Sequence, residues 1–218
     1  MDNLNKYIEH TLLKQDATTE DLKKLYAEAK QYNFRGVCVN PCYVKMAKEA
    51  LKDTDVKVVT VIGFPLGANK TEVKAFEASV AKADGADEID MVINVTGIKD
   101  KNWDFVKEDI KAVKIACGDI PLKVILETDL LDKEEIKKAS ELAVEAGANF
   151  VKTSTGFVKN GVGAKAEDVK LMFDTVNLHG LKVKASGGIR DKETAIKMIE
   201  SGAYSLGTSS GVKIVDNL

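Results

Sequence analysis

Short β-branched and apolar runs alternate along the chain with longer stretches whose apolar residues recur at helical spacing, the pattern of strands and helices taken in turn around a parallel sheet. Seven runs read as strands: 36–40, 57–63, 88–94, 122–128, 150–155, 181–186 and 204–208. An eighth, shorter run at 8–11 precedes a helix expected to begin near Thr18. Between the strands, four stripes are expected to pack against the sheet: Leu22, Leu25 and Ala29; Val73, Phe76, Val80 and Ala83; Val106, Ile110 and Val113; Val169, Met172, Phe173 and Val176. Thr18 with Asp21 three residues later reads as a capping pair, and Gly118, Gly147 and Gly202 stand where helix C-terminal glycines belong. The joints Gly85-Ala86-Asp87, Gly147-Ala148-Asn149 and Gly202-Ala203-Tyr204 repeat one solution for passing from a helix to the next strand.

Eight strands in this alternation predict an α/β fold, a (β/α)8 TIM barrel, with residues 1–218 forming a single domain. A doubly wound open sheet is the competing architecture, but no GxGxxG follows the first strands and the strand count favours closure. Charge changes the picture only by exclusion. With 32 basic against 34 acidic residues and a net charge of -2, nothing calls for nucleic acid or an anionic membrane as partner. The opening Met1-Asp2-Asn3-Leu4-Asn5-Lys6 has no signal-peptide character and no apolar run reaches transmembrane length, so the expected location is the cytoplasm. Cys38, Cys42 and Cys117 are odd in number and form no CxxC pair, so neither a disulfide framework nor a zinc site is expected; the reading calls for no metal and no cofactor.

In barrels of this kind the active site lies at the C-terminal strand ends, so polar residues there require an account. The run 88–94 places Asp90 among apolar residues of a strand buried on both faces, which reads either as a structural ion pair or as an acid/base group tuned by its surroundings. The run 150–155 carries Lys152 in its middle, and 181–186 carries Lys182 and Lys184 on one face. Two inward lysines on neighbouring strands repel each other's charge, which leaves one amine neutral and nucleophilic, as imine formation with a carbonyl requires. The glycine-rich loops Ser186-Gly187-Gly188-Ile189-Arg190 and Gly207-Thr208-Ser209-Ser210-Gly211 follow the seventh and eighth strands, where such barrels hold phosphate on backbone N–H groups. A small phosphorylated substrate is therefore expected.

Together, Val151-Lys152-Thr153-Ser154-Thr155-Gly156, Lys184-Ala185-Ser186-Gly187-Gly188-Ile189-Arg190, Glu88-Ile89-Asp90-Met91-Val92-Ile93-Asn94 and Gly207-Thr208-Ser209-Ser210 resemble the deoxyribose-phosphate aldolase family over nearly the whole chain. The resemblance implies reversible cleavage of 2-deoxy-D-ribose 5-phosphate to D-glyceraldehyde 3-phosphate and acetaldehyde, without a metal. It implies Lys152 as the imine-forming residue, Lys184 as the neighbour that lowers its pKa and Asp90 as a proton relay. Thr155, Gly156, Gly187, Gly188, Ser209 and Ser210 are implied around the phosphate or substrate hydroxyls, with Glu9 and Cys38 as accessory positions. Three departures stand out: Glu9 where the family usually has aspartate, Phe157 where some members carry a phosphate-binding lysine, and Lys165 where threonine is common, which offers a substitute cation. The chain stops at Asn217-Leu218 without the terminal tyrosine of some members. A related Schiff-base or transaldolase-like lyase, a phosphosugar isomerase and a non-catalytic phosphate sensor are the alternatives, and a homodimer is left open.

Overall fold

The computed structural model describes residues 3–216; Met1, Asp2, Asn217 and Leu218, and with them the ends of the expected 1–218 domain and the tyrosine-free terminus, lie outside the described residues. Eight parallel strands close into a barrel in sequence order: β1 Ile8–Leu12, β2 Gly36–Val39, β3 Lys57–Ile62, β4 Glu88–Val92, β5 Leu122–Ile125, β6 Phe150–Lys152, β7 Lys182–Ser186 and β8 Ala203–Thr208. The short first run proves to be the closing strand, paired with β2 on one edge and β8 on the other.

Helices α1 Thr19–Gln31, α2 Val44–Leu51, α3 Thr71–Ala83, α4 Val95–Lys99, α5 Trp103–Cys117, α6 Lys133–Glu145, α7 Ala166–Val176, α8 Lys192–Glu200 and α9 Gly211–Asp216 surround the barrel. Thr18 and Asp21 form a reciprocal capping box on α1, so two of the orphan donors at its N-terminus are satisfied. Asp132 and Glu135 do the same for α6. Five strands, β2 to β6, end before their apolar runs do, because the last residues peel away to build the barrel mouth. Asn94, for example, leaves β4 to accept from the Gly97 N–H as the N-cap of α4.

Most of the apolar core fills the layer between strands and helices, with Leu22, Leu25, Ala29, Val106, Ile110, Val113, Val169, Met172 and Val176 buried as their spacing predicts. The α3 stripe is a correction. Val73, Phe76 and Val80 are 50%, 72% and 43% exposed and Ala83 also faces outward, while Lys74, Ala78 and Ala81 face the barrel. Two small alanines let α3 lie close to the sheet, and Lys74 is held inside by donating to Asp109 Oδ2 at 2.7 Å and to the Val92 carbonyl at 3.1 Å. A paired lysine thus takes a place that apolar periodicity assigns to valine and phenylalanine.

The barrel interior has a different composition. One wall is a small apolar cluster of Cys38, Val59 and Val61 with Leu13 and Phe64 packed against it. The opposite wall is charged, since the registers Val61↔Asp90, Asp90↔Lys123 and Lys152↔Lys184 bring ionic side chains from four strands to one face.

Candidate active site

Asp90 sits at the centre of that face, wholly buried, and three ammonium groups converge on it. Lys123 Nζ donates to Oδ1 at 2.8 Å; Lys152 Nζ and Lys184 Nζ donate to Oδ2 at 2.8 and 2.7 Å. Burial pushes the Asp90 carboxyl up, but Lys123, Lys152 and Lys184 outweigh it and hold the group well below the usual carboxylate range. Glu9, also fully buried, accepts from Lys184, lies 3.5 Å from Lys123 and receives Arg35 Nη1 at 2.8 Å. Below it, Glu88 takes Arg35 in a two-pronged contact at 2.6 and 3.0 Å and Lys123 at 2.7 Å.

The two lysines of the sequence motifs differ in their number of counterions. Lys184 has two carboxylates, Asp90 and Glu9, and although burial pushes its amine down these raise it above the ordinary lysine value. Lys152 contacts Asp90 alone; burial pushes its amine down, Asp90 only partly opposes this, and Lys184 adds to the depression. Of the pair, Lys152 is the amine that is neutral more readily, and it alone reaches the cavity above. Lys184, Asp90 and Glu9 lie beneath the cavity floor.

That cavity, about 320 Å³, opens at the C-terminal strand ends between Thr11, Thr155, Gly156, Gly187, Gly188 and Ser209. Ser210 instead faces a neighbouring cavity of about 680 Å³, which Ser209, Thr11 and Lys14 also line. The glycine loops are held by close backbone approach: Ala164 N–H donates to the Gly187 carbonyl at 3.0 Å, and a Cβ on Gly188, whose φ is +74°, would lie 2.4 Å from the Val162 carbonyl oxygen. Phe157 lines the cavity and packs edge-on against Phe64 with ring centroids 5.1 Å apart. Lys165 does not line this cavity; its Nζ lies 3.9 Å from Asp129. The cations that do line it, besides Lys152, are Lys14 and Arg190. Cys38 is fully buried on the apolar wall facing the charged cluster, where burial pushes its thiol up and away from reactivity.

Several site residues were not singled out by the sequence. Lys123 and Glu88 obey the same criterion that exposed Asp90, a charge within a parallel strand, and the registers make that signal usable. Glu127 is harder to foresee. It sits just past β5 in the left-handed region at φ 60°, nearly buried, and accepts from the Thr155 N–H at 3.0 Å and from its hydroxyl. Burial pushes its carboxyl up. His10 pairs with Glu28 at 2.7 Å and lines the neighbouring cavity, and His179 is exposed; neither lines the cavity above Lys152.

Comparison with known proteins identifies the family and the fold. Residues 5–216 match the DeoC/LacD family aldolase profile. A deoxyribose-phosphate aldolase of Finegoldia magna is 57% identical over 213 residues, covering 98% of this chain and 99% of its own. A crystal structure from Coccidioides immitis superposes with a TM-score of 0.95 at 46% identity, over 98% of this chain and 85% of that one. The tetrameric deoxyribose phosphate aldolase of Aeropyrum pernix gives a TM-score of 0.90 at 35% identity, over 98% and 90%. With a closed barrel, a buried lysine pair on β6 and β7, and this family match over almost its full length, the chain belongs to the DeoC/LacD family of aldolases.

Proposed function

We propose that Lys152 attacks the C1 carbonyl of open-chain 2-deoxy-D-ribose 5-phosphate and that the resulting iminium drives aldol cleavage to D-glyceraldehyde 3-phosphate and acetaldehyde. The observation that carries this reading is the unequal pairing of two adjacent buried lysines, one with a single carboxylate and open to the cavity, the other anchored by two. Loss of water from the carbinolamine gives the iminium. The C3 hydroxyl then loses its proton, the C2–C3 bond breaks, and its electron pair moves into an enamine that is protonated at C2 and hydrolysed. The contact of Asp90 with Lys152 supports Asp90 as the proton relay, with Lys184 keeping the site cationic.

Gly187, Gly188 and Ser209, with Lys14 and Arg190 on the same cavity, support a phosphate subsite, with Thr155 and Gly156 beside it for substrate hydroxyls. The outward apolar face of α3, Val73, Phe76 and Val80, supports self-association as a homodimer.

The test is reductive trapping. Borohydride with acetaldehyde should place one adduct on the peptide bearing Lys152, and replacement of Lys152 should abolish trapping at every pH. An adduct on Lys184 instead would reverse the two roles; none on either lysine would favour an isomerase or a binding protein.

A further inference from the structure

The ionic side chains inside the barrel do not balance. Three buried carboxylates, Glu9, Glu88 and Asp90, face four cations: Arg35, Lys123, Lys152 and Lys184. Lys57 also reaches Glu88, at 3.1 Å, but is 47% exposed and keeps its charge solvated. Lys182 lies over the Tyr204 ring at 3.7 Å at the other end of the strands, outside the cluster. In a space closed to water, a net positive charge is expensive, and losing one proton removes it.

We propose that Lys123 is a positioning residue for the nucleophile: by taking Asp90 Oδ1 and Glu88 it creates the surplus cation of the cluster and leaves Lys152 as the amine that gives up its proton. The geometry identifies which lysine yields. Lys123 has Glu88 at 2.7 Å, Asp90 at 2.8 Å and Glu9 at 3.5 Å, and Lys184 has Glu9 and Asp90. Lys152 shares one oxygen of one carboxylate with Lys184, and the other oxygen of that carboxylate is occupied by Lys123. Burial pushes the Lys123 amine down but its three carboxylates hold it up, in the opposite sense to Lys152.

The remaining groups facing this cluster do not supply the missing counter-charge. The Cys38 thiol on β2 is held up by burial, and so stays neutral. Glu127 beyond β5 is also raised by burial and directs both oxygens at Thr155. Tyr204 on β8 meets the Phe150 ring edge-on and carries Arg35 and Lys182 over its face.

Charge number gives opposite predictions for opposite substitutions. Lys123→Met leaves three carboxylates for three cations, so Lys152 keeps its proton to higher pH. Glu88→Gln enlarges the surplus, so Lys152 loses its proton at lower pH. Lys123→Arg preserves the charge.

The inference rests on Lys152 being the imine-forming residue, and the experiment separates the two claims. The pH dependence of cyanoborohydride trapping with acetaldehyde is read on the Lys152 peptide in the wild-type protein and the three variants. The midpoint should rise by about one pH unit in Lys123→Met, fall in Glu88→Gln and stay within a few tenths of a pH unit in Lys123→Arg. Weaker trapping in Lys123→Met with an unmoved midpoint means a merely structural role and overturns the inference, as do midpoints that move in the same direction in Lys123→Met and Glu88→Gln. Where Lys123→Met does not fold, Glu88→Gln decides: a lowered midpoint supports the inference and an unmoved one overturns it. Absence of any Lys152 adduct in the wild-type protein overturns the nucleophile assignment and this inference with it, a result distinct from a trapped Lys152 that ignores Lys123.

Discussion

Below Lys152 the barrel interior is closed, and its charges are fixed by one another; above Lys152 the cavity is open, and its shape is fixed by backbone. In the lower region Glu9, Asp90, Lys123 and Lys184 are all fully buried, and each touches at least two of the other ionic groups. In the upper region the loop at Gly187 and Gly188 is pinned by main-chain contacts with Val162 and Ala164, and the cations there, Lys14 and Arg190, are exposed. A proton's location on an amine is set by strong fields in a water-free space, whereas a phosphate can be gripped by N–H groups and solvated cations at the rim. On the proposed function, reactivity and recognition are held by separate parts of one barrel, with Lys152 at the boundary.

Removing the shared acceptor of the lower region should have the largest effect. Asp90→Asn leaves the buried Lys123 and Lys184 ammonium groups short of a carboxylate and deprives Lys152 of its acceptor, at a cost of about 3–5 kcal/mol in unfolding free energy, read from urea unfolding. Cleavage should fall by roughly 10²–10⁴-fold in the folded fraction. A variant that keeps wild-type stability and rate would contradict the division between the two regions outright.

Lys184→Leu probes the same region more finely. A neighbouring positive charge depresses the Lys152 amine, so its loss raises that amine's pKa and protonates more of the nucleophile at neutral pH. Cleavage at pH 7 should drop about 10-fold for each pH unit by which that pKa rises and recover as the buffer is made alkaline; a pH–rate profile parallel to that of the wild-type protein would refute the electrostatic account.

The upper region answers to the substrate instead. Unphosphorylated 2-deoxyribose should lose about 10²-fold in kcat/KM, the value of one or two charge-assisted hydrogen bonds, with trapping of acetaldehyde on Lys152 unaltered. Equal kcat/KM for both sugars would leave the glycine loops without their assigned ligand. The smallest expected effect is none at all. A strong chelator should leave cleavage unchanged, because an iminium stabilises the carbanion without a Lewis acid; activity lost to chelator and regained with zinc would remove the imine mechanism.

Much of the lower region was legible in the sequence because a charge in a strand buried on both faces is conspicuous, as with Asp90, Lys152 and Lys184. Lys123 is just as conspicuous in Leu122-Lys123-Val124-Ile125, yet its significance depends on register, which no single strand contains. Glu9 was legible as a position and not as a contact, since its partners lie up to 175 residues away in the chain. Among the helices, α3 was misread because periodicity measures where apolar residues recur and not which face lies inward; a buried lysine with a distant aspartate reverses the answer. The separation of Ser210 from the cavity lined by Ser209 is likewise a matter of local chain direction that a glycine-rich motif does not carry.

Glu9 touches Lys184, Lys123 and Arg35 through one carboxylate. Shortening that side chain to aspartate would draw the carboxylate back by roughly one carbon–carbon bond, about 1.5 Å, and loosen all three contacts at once. Residues with such shared obligations cannot drift singly, because each change is tolerable only in the company of another. The lower barrel is therefore expected to vary among relatives as a linked set, with the residues at positions 9, 35, 123 and 184 inherited together, while rim residues such as Phe157 and Lys165 are free to diverge one at a time.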